Sequence, residues 1–135
     1  PAYVRRYLPP VSEALEILSA AGAVCIWAHP LMSNTITGAK LHRIGKSLMP
    51  HGLDGIECYY SEYSDHQTQK AIRHTKELGL LVSGGSDFHG GNIPGIALGR
   101  GRGDLCVPPQ ILEPLRERAA RKRRQRTTSE RPVSL

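Results

Sequence analysis

The chain has 135 residues, of which 39% are hydrophobic and 22% charged, room for one modest globular domain. No apolar run approaches the ~20 residues of a membrane span, and no signal-peptide pattern opens the sequence. Collagen-like, coiled-coil, membrane-spanning and wholly disordered chains are thereby excluded. Aromatic residues make up only 5%, so the expected core is aliphatic.

The net charge of +6 is unevenly placed. Residues 1–115 carry ten basic and ten acidic residues, so the whole excess lies in 116–135. The basic character therefore describes a tail rather than the body. Cys25, Cys58 and Cys106 are too widely spaced for a cysteine zinc site. Cys25 and Cys58 lie in apolar runs and read as buried, reduced thiols of a cytoplasmic protein.

In chain order, Pro9-Pro10 precedes a helix with Ser12 as its expected N-cap, Leu15 and Leu18 on its apolar face and Gly22 as its stop. Residues 23–28 are apolar and strand-like and end at His29-Pro30. A loop follows, then a helix over 39–49 with Leu41, Ile44 and Leu48 on one face and Gly52 after it. Residues 53–60 predict a second strand. Residues 65–78 predict a third helix, with Asp65 as cap and Gly79 as stop. Residues 80–83 predict a third strand, running into the glycine-flanked segment Gly84-Gly85-Ser86-Asp87-Phe88-His89-Gly90-Gly91. A short strand is expected over 96–98, a thinly apolar helix over 110–124 and a disordered basic tail over 125–135. Helices alternating with strands predict an α/β fold with a parallel sheet, whose active site lies at the C-terminal strand ends.

Three residues at those ends carry metal chemistry. His29 directly follows the first strand. Asp87 and His89 are two apart, so an extended segment would turn both to one side and Phe88 inward. Imidazole and carboxylate together suit a divalent ion, which lowers the pKa of bound water toward ~7 and polarises a phosphoryl oxygen. Asp87 and His89 are the expected catalytic residues, and His29, Asp87 and His89 the expected metal ligands. Gly84 and Gly85 would bind substrate by letting it approach the backbone. His66, at a helix start, is a weaker substrate-binding candidate. Glu57 lies within an apolar strand, on the side of Tyr59. It either lines the site or is satisfied by a neighbour. His42, His51 and His74 read as surface residues.

Ala28-His29-Pro30, then Gly52-Leu53-Asp54-Gly55-Ile56-Glu57 with Tyr59-Tyr60, then Gly84-Gly85-Ser86-Asp87-Phe88-His89-Gly90 resemble the C-terminal half of PHP (polymerase and histidinol phosphatase) proteins, the TrpH-like phosphoesterases above all. The resemblance spans about Tyr3 to Gly99. It implies a distorted (β/α)7 barrel, with residues 1–107 its C-terminal portion. It implies a cluster of divalent metals held in part by His29, Asp87 and His89, with Mn, Zn or Fe favoured over Mg. It also implies hydrolysis of phosphate esters, including nucleotides and short oligonucleotides, by metal-activated hydroxide. The family's opening His-x-His motif does not precede Ala28, and the first residue is Pro1 rather than Met, so a fragment of a longer chain is expected. Two alternatives stand beside this reading: a non-catalytic remnant lacking the other ligands, and a nucleic-acid-binding chain acting through its Arg-rich tail.

Overall fold

The computed structural model describes residues 7–129. Its elements are α1 (Val11–Ala20), β1 (Cys25–Trp27), α2 (Gly38–Leu48), β2 (Leu53–Tyr60), α3 (Asp65–Glu77), β3 (Leu81–Gly85) and α4 (Leu112–Ser129). The strands form one parallel sheet in the order β1-β2-β3. The α/β class and the parallel pairing follow the sequence reading.

The helix boundaries show which local chemistry prevails. Pro10, in extended backbone, is the N-cap of α1, and Ser12 lies inside the helix rather than capping it. Proline's fixed φ suits that entry position, and its carbonyl accepts the first helical bond, from the Ala14 amide. At α3 the cap is Ser64, not Asp65. Its hydroxyl accepts from the Gln67 amide while the Gln67 side chain accepts from the Ser64 amide, a reciprocal pair that Asp65 cannot form from inside the helix. Thr37 caps α2 by a single bond, its hydroxyl accepting from the Lys40 amide.

The core is aliphatic, as the composition implies: Leu15, Leu31, Leu41, Leu53, Ile56, Ala71 and Leu80 are buried together with Cys25 and Cys58. Each fully buried Leu or Ile stabilises the fold by roughly 1.5–3 kcal/mol. Gly45 lets α2 approach α3 closely, since a Cβ there would sit 2.8 Å from Leu78 Cδ1. Thr75 is fully buried, its hydroxyl bonded to the Ala71 carbonyl and set 3.2 Å from Cys58 Sγ.

Three further expectations are corrected. The third strand runs past its expected end at 83 through Gly84 and Gly85, which pair with Tyr59 and Tyr60. Residues 96–98 contribute a single antiparallel bridge, Ala97 to Gly101, rather than a strand. The last helix continues to Ser129, past the expected end at 124, so residues 125–129 are helical where a disordered tail was expected. Residues 130–135 lie outside the described residues.

That helix is tied to the body by a buried ion cluster that the sequence reading did not find. Asp54, at the start of β2 and only 3% exposed, accepts from the Cys25 amide at 2.9 Å. It also pairs with Arg118 at 2.8 Å and with Lys122 at 2.5 Å. Lys122 donates further to the Ser19 hydroxyl and the Ala23 carbonyl. Two cations of the presumed tail thus hold α4 against the N-terminal end of the sheet. Among the described residues no helix is long and apolar enough to cross a membrane.

Candidate metal centre at the C-terminal strand ends

His29 and Asp87 stand just past β1 and β3, on either side of the middle strand β2. Both hold positive φ, 29° and 56°, and they are the only non-glycine residues to do so among the described residues. Such backbone costs of order 1 kcal/mol or more and concentrates where function over-determines geometry. The strain at Asp87 also ends the extended alternation. Phe88 consequently does not pack inward but is 46% exposed.

The middle strand joins the two sides. The Glu57 carboxylate accepts from the His29 amide at 2.8 Å. The Tyr60 hydroxyl donates to Asp87 Oδ2 at 3.2 Å, and the Tyr60 ring lies 5.0 Å from the His29 ring. Tyr63 stacks edge-on against Tyr60 and accepts from the Leu31 amide at 2.7 Å, fixing the turn after His29. Both alternatives posed for Glu57 therefore hold at once, since it faces the site and is partly satisfied by a neighbour.

The electrostatics follow from this burial. Desolvation pushes the Glu57 carboxyl above its ordinary range, against the stabilising His29 amide. Burial and the adjacent Asp87 push Tyr60 up to about 12, so its hydroxyl stays a protonated donor at neutral pH. Asp87 meets His89 Nδ1 at 3.6 Å, and the same nitrogen lies 2.7 Å from the Asp87 carbonyl. The His89 side chain remains more than half exposed.

His29, Glu57, Tyr60, Asp87 and His89 are thus brought to one end of the sheet. His29, Asp87 and His89 do not, however, converge on a common ligand position. Among the described residues, the set of three whose ligand atoms all lie within 4.8 Å of one another is His42, His74 and Glu77, on α2 and α3. His42 and His74 are half-buried partners of Glu77 and not plain surface residues. A sequence signal existed, since His74 and Glu77 are spaced i, i+3 on a helix; His42 could be joined to them only by the tertiary fold.

The two glycines expected to bind substrate have different roles. A Cβ at Gly84 would meet Tyr59 Cβ at 2.6 Å and Val107 Cγ1 at 3.1 Å, so that glycine serves packing at the β2 bulge. A Cβ at Gly85 would lie 3.4 Å from Glu57 Oε1, which puts Gly85 on the site side. His66 is exposed in the first turn of α3, at the same end of the sheet. Beside it, Tyr59, Tyr60, Tyr63, Asp65, Asp104 and Cys106 help line a cleft of about 260 Å³.

No protein-family profile matches the chain. A curated 5′-3′ exoribonuclease of Haemophilus influenzae is 35% identical over 88 residues, covering 65% of this chain and 32% of that protein. Two solved structures superpose with a TM-score of 0.64 at 24% identity, each over 86% of this chain and 39% of its own. One, from Bifidobacterium adolescentis, is provisionally named a metal-dependent phosphoesterase. The other is an amidohydrolase of Chromobacterium violaceum with bound sulfate and no metal. This chain shares the fold of the matched part of the two solved structures and spans 32% to 39% of the length of these proteins.

Proposed function

We propose that the chain is the C-terminal portion of a metal-dependent phosphoesterase of the PHP type, its sheet a segment of that family's (β/α)7 barrel. The proposed substrates are phosphate esters, with nucleotides or short oligonucleotides as the class, and the exoribonuclease relative supports that choice. The observation that carries the reading is the pair of left-handed residues, His29 and Asp87, joined across β2 by Glu57 and Tyr60.

The donors at this end fit a divalent ion. Two imidazoles and two carboxylates suit Mn, Zn or Fe better than Mg. Glu57 is a desolvated carboxylate answered by a single amide, and a cation would compensate its charge. His29, Glu57, Asp87 and His89 would contribute ligands to a cluster of such ions rather than converge on one, and the ions would supply Lewis acidity to phosphoryl oxygen and to water. The remaining work falls to the chain itself. Tyr60 orients Asp87 by donation, the His29 amide orients Glu57, and Gly85 keeps space beside that carboxylate. His66 and the tyrosine-lined cleft are placed to receive the rest of an ester. The exposed arginines of α4, Arg116, Arg121, Arg123 and Arg124, lie on the helix held at the opposite end of the sheet and belong instead to the alternative of nucleic-acid binding through the basic segment. A cytoplasmic setting fits the unpaired, buried Cys25 and Cys58.

The test is Mn(II)-dependent release of nucleotide from a short RNA, with the Asp87→Ala chain alongside. The expected result is turnover that a chelator stops and that falls at least about 100-fold in Asp87→Ala. Turnover equal in the variant would overturn the reading. Asp87-dependent Mn(II) binding without turnover would show a half-site, favouring the non-catalytic alternative for this chain alone.

A further inference from the structure

We propose that His42, His74 and Glu77 form a second metal site, for a zinc-class divalent ion, between α2 and α3. It is separate from the strand-end site. His74 lies nine residues past the start of α3, about 14 Å along the helix axis at 1.5 Å per residue.

The geometry is near that of a metal centre already. Glu77 Oε2 stands 3.0 Å from His74 Nδ1 and 3.6 Å from His42 Nδ1, and all three ligand atoms lie within 4.8 Å of one another. Zinc bonds of about 2.0–2.2 Å in a tetrahedron require neighbouring ligands to be about 3.3–3.6 Å apart. The two measured edges bracket that length. Without an ion, His74 and Glu77 make an ordinary hydrogen bond at 3.0 Å, while His42 stands 3.6 Å from the same oxygen, beyond hydrogen-bond reach, so an ion would draw in the third ligand.

The scaffold holds the ligands in this arrangement. Two come from one face of α3 at i, i+3, and the third from the neighbouring helix. The His74 ring is only 15% exposed, and its Nε2 sits directly over Gly38, where a Cβ would collide with it. Glycine at 38 therefore sets the ring so that Nδ1 turns toward Glu77. The His42 and Glu77 side chains are 37% and 47% exposed, which leaves a side open for water as a fourth ligand. Ligation uses the tautomer with its proton on Nε2, so a neutral imidazole binds without releasing a proton.

The test is Zn(II) titration against a chromogenic chelator at neutral pH, in a His29→Ala/Asp87→Ala background that removes strand-end ligands. The expected result is one zinc retained there, with affinity falling at least about 100-fold on adding His42→Ala. A fall of about 10- to 100-fold is expected on adding Gly38→Ala, which keeps all three ligand residues and displaces the His74 ring. Retention indifferent to His42→Ala, or no zinc bound in that background, would overturn the proposal. If circular dichroism shows the background chain unfolded, the same comparison is made by zinc stoichiometry in the otherwise native chain. Loss of one equivalent with His42→Ala supports the site, and an unchanged count overturns it.

Discussion

At the N-terminal end of the sheet, the Asp54 carboxylate is buried and surrounded by the chain's own cations, Arg118 and Lys122, with the Cys25 amide completing its shell. At the C-terminal end, Glu57 on the same strand and Asp87 just past β3 are answered by an amide, a phenol and an imidazole. A buried carboxylate costs several kcal/mol unless its charge is met. The first end meets it internally and serves architecture, fastening α4 to the body. The second leaves its carboxylates poorly compensated and adds two strained backbones. Within one sheet, the charge left unmet marks the functional end better than the presence of charge does.

The comparison breaks most visibly at Asp54. Asp54→Ala leaves Arg118 and Lys122 half-buried without their anion. Chemical denaturation should show a loss of about 3 kcal/mol, the lower part of the range for breaking a buried pair because Arg118 is partly solvated. Mn(II) affinity at the other end should be unchanged per folded chain. A loss below about 1 kcal/mol would show that the cluster is no anchor.

Tyr60→Phe tests the opposite end at smaller cost. It removes one donor to Asp87 and keeps the ring against His29 and Tyr63. Stability should change by about 1 kcal/mol or less, and Mn(II) affinity should fall about tenfold.

Glu57→Gln reads the uncompensated charge through pH. Burial raises the Glu57 carboxyl, so the folded chain holds that proton more tightly than the unfolded chain does. Its contribution to stability is fully present below the unfolded value near 4.5 and is lost as pH rises through the raised folded value. The variant cannot ionise. Relative to Glu57→Gln, the native chain should therefore lose stability as pH rises from about 4 to 8. Saturating Mn(II) should shrink that gap, and a gap of the opposite sign would contradict the electrostatic account.

The smallest effect concerns thiols. Cys106 is exposed, while Cys25 and Cys58 are buried, and burial pushes Cys58 up to about 11. A disulfide reagent should modify Cys106 quickly and the others slowly. In Asp54→Ala, Cys25 should become the second to react, because its amide is held by that carboxylate.

Much of this was legible in the sequence. Periodicity and glycine stops located α2, β2 and α3 to within a residue or so, and His29 and Asp87 fell at strand ends as expected. The errors have physical sources. Ser64 and Pro10 displaced the expected caps because a reciprocal side-chain pair and a fixed φ favour those positions over a generic good capper. Phe88 faces outward because Asp87 leaves the extended conformation on which alternation depends. Asp54 and the His42–His74–Glu77 cluster escaped notice because their partners lie far away in sequence or on another helix. The Arg-rich segment looked like a solvated tail since its apolar stripe is thin; two of its cations reach a buried anion that composition does not reveal.

The central claim is that the C-terminal end holds its carboxylates for a divalent cation. The most direct measurement is Mn(II) affinity of the His42→Ala chain, which lacks the second cluster, beside His42→Ala/Asp87→Ala. The account predicts binding in the first and a loss of at least about 100-fold in the second. Equal affinity in the two would contradict it.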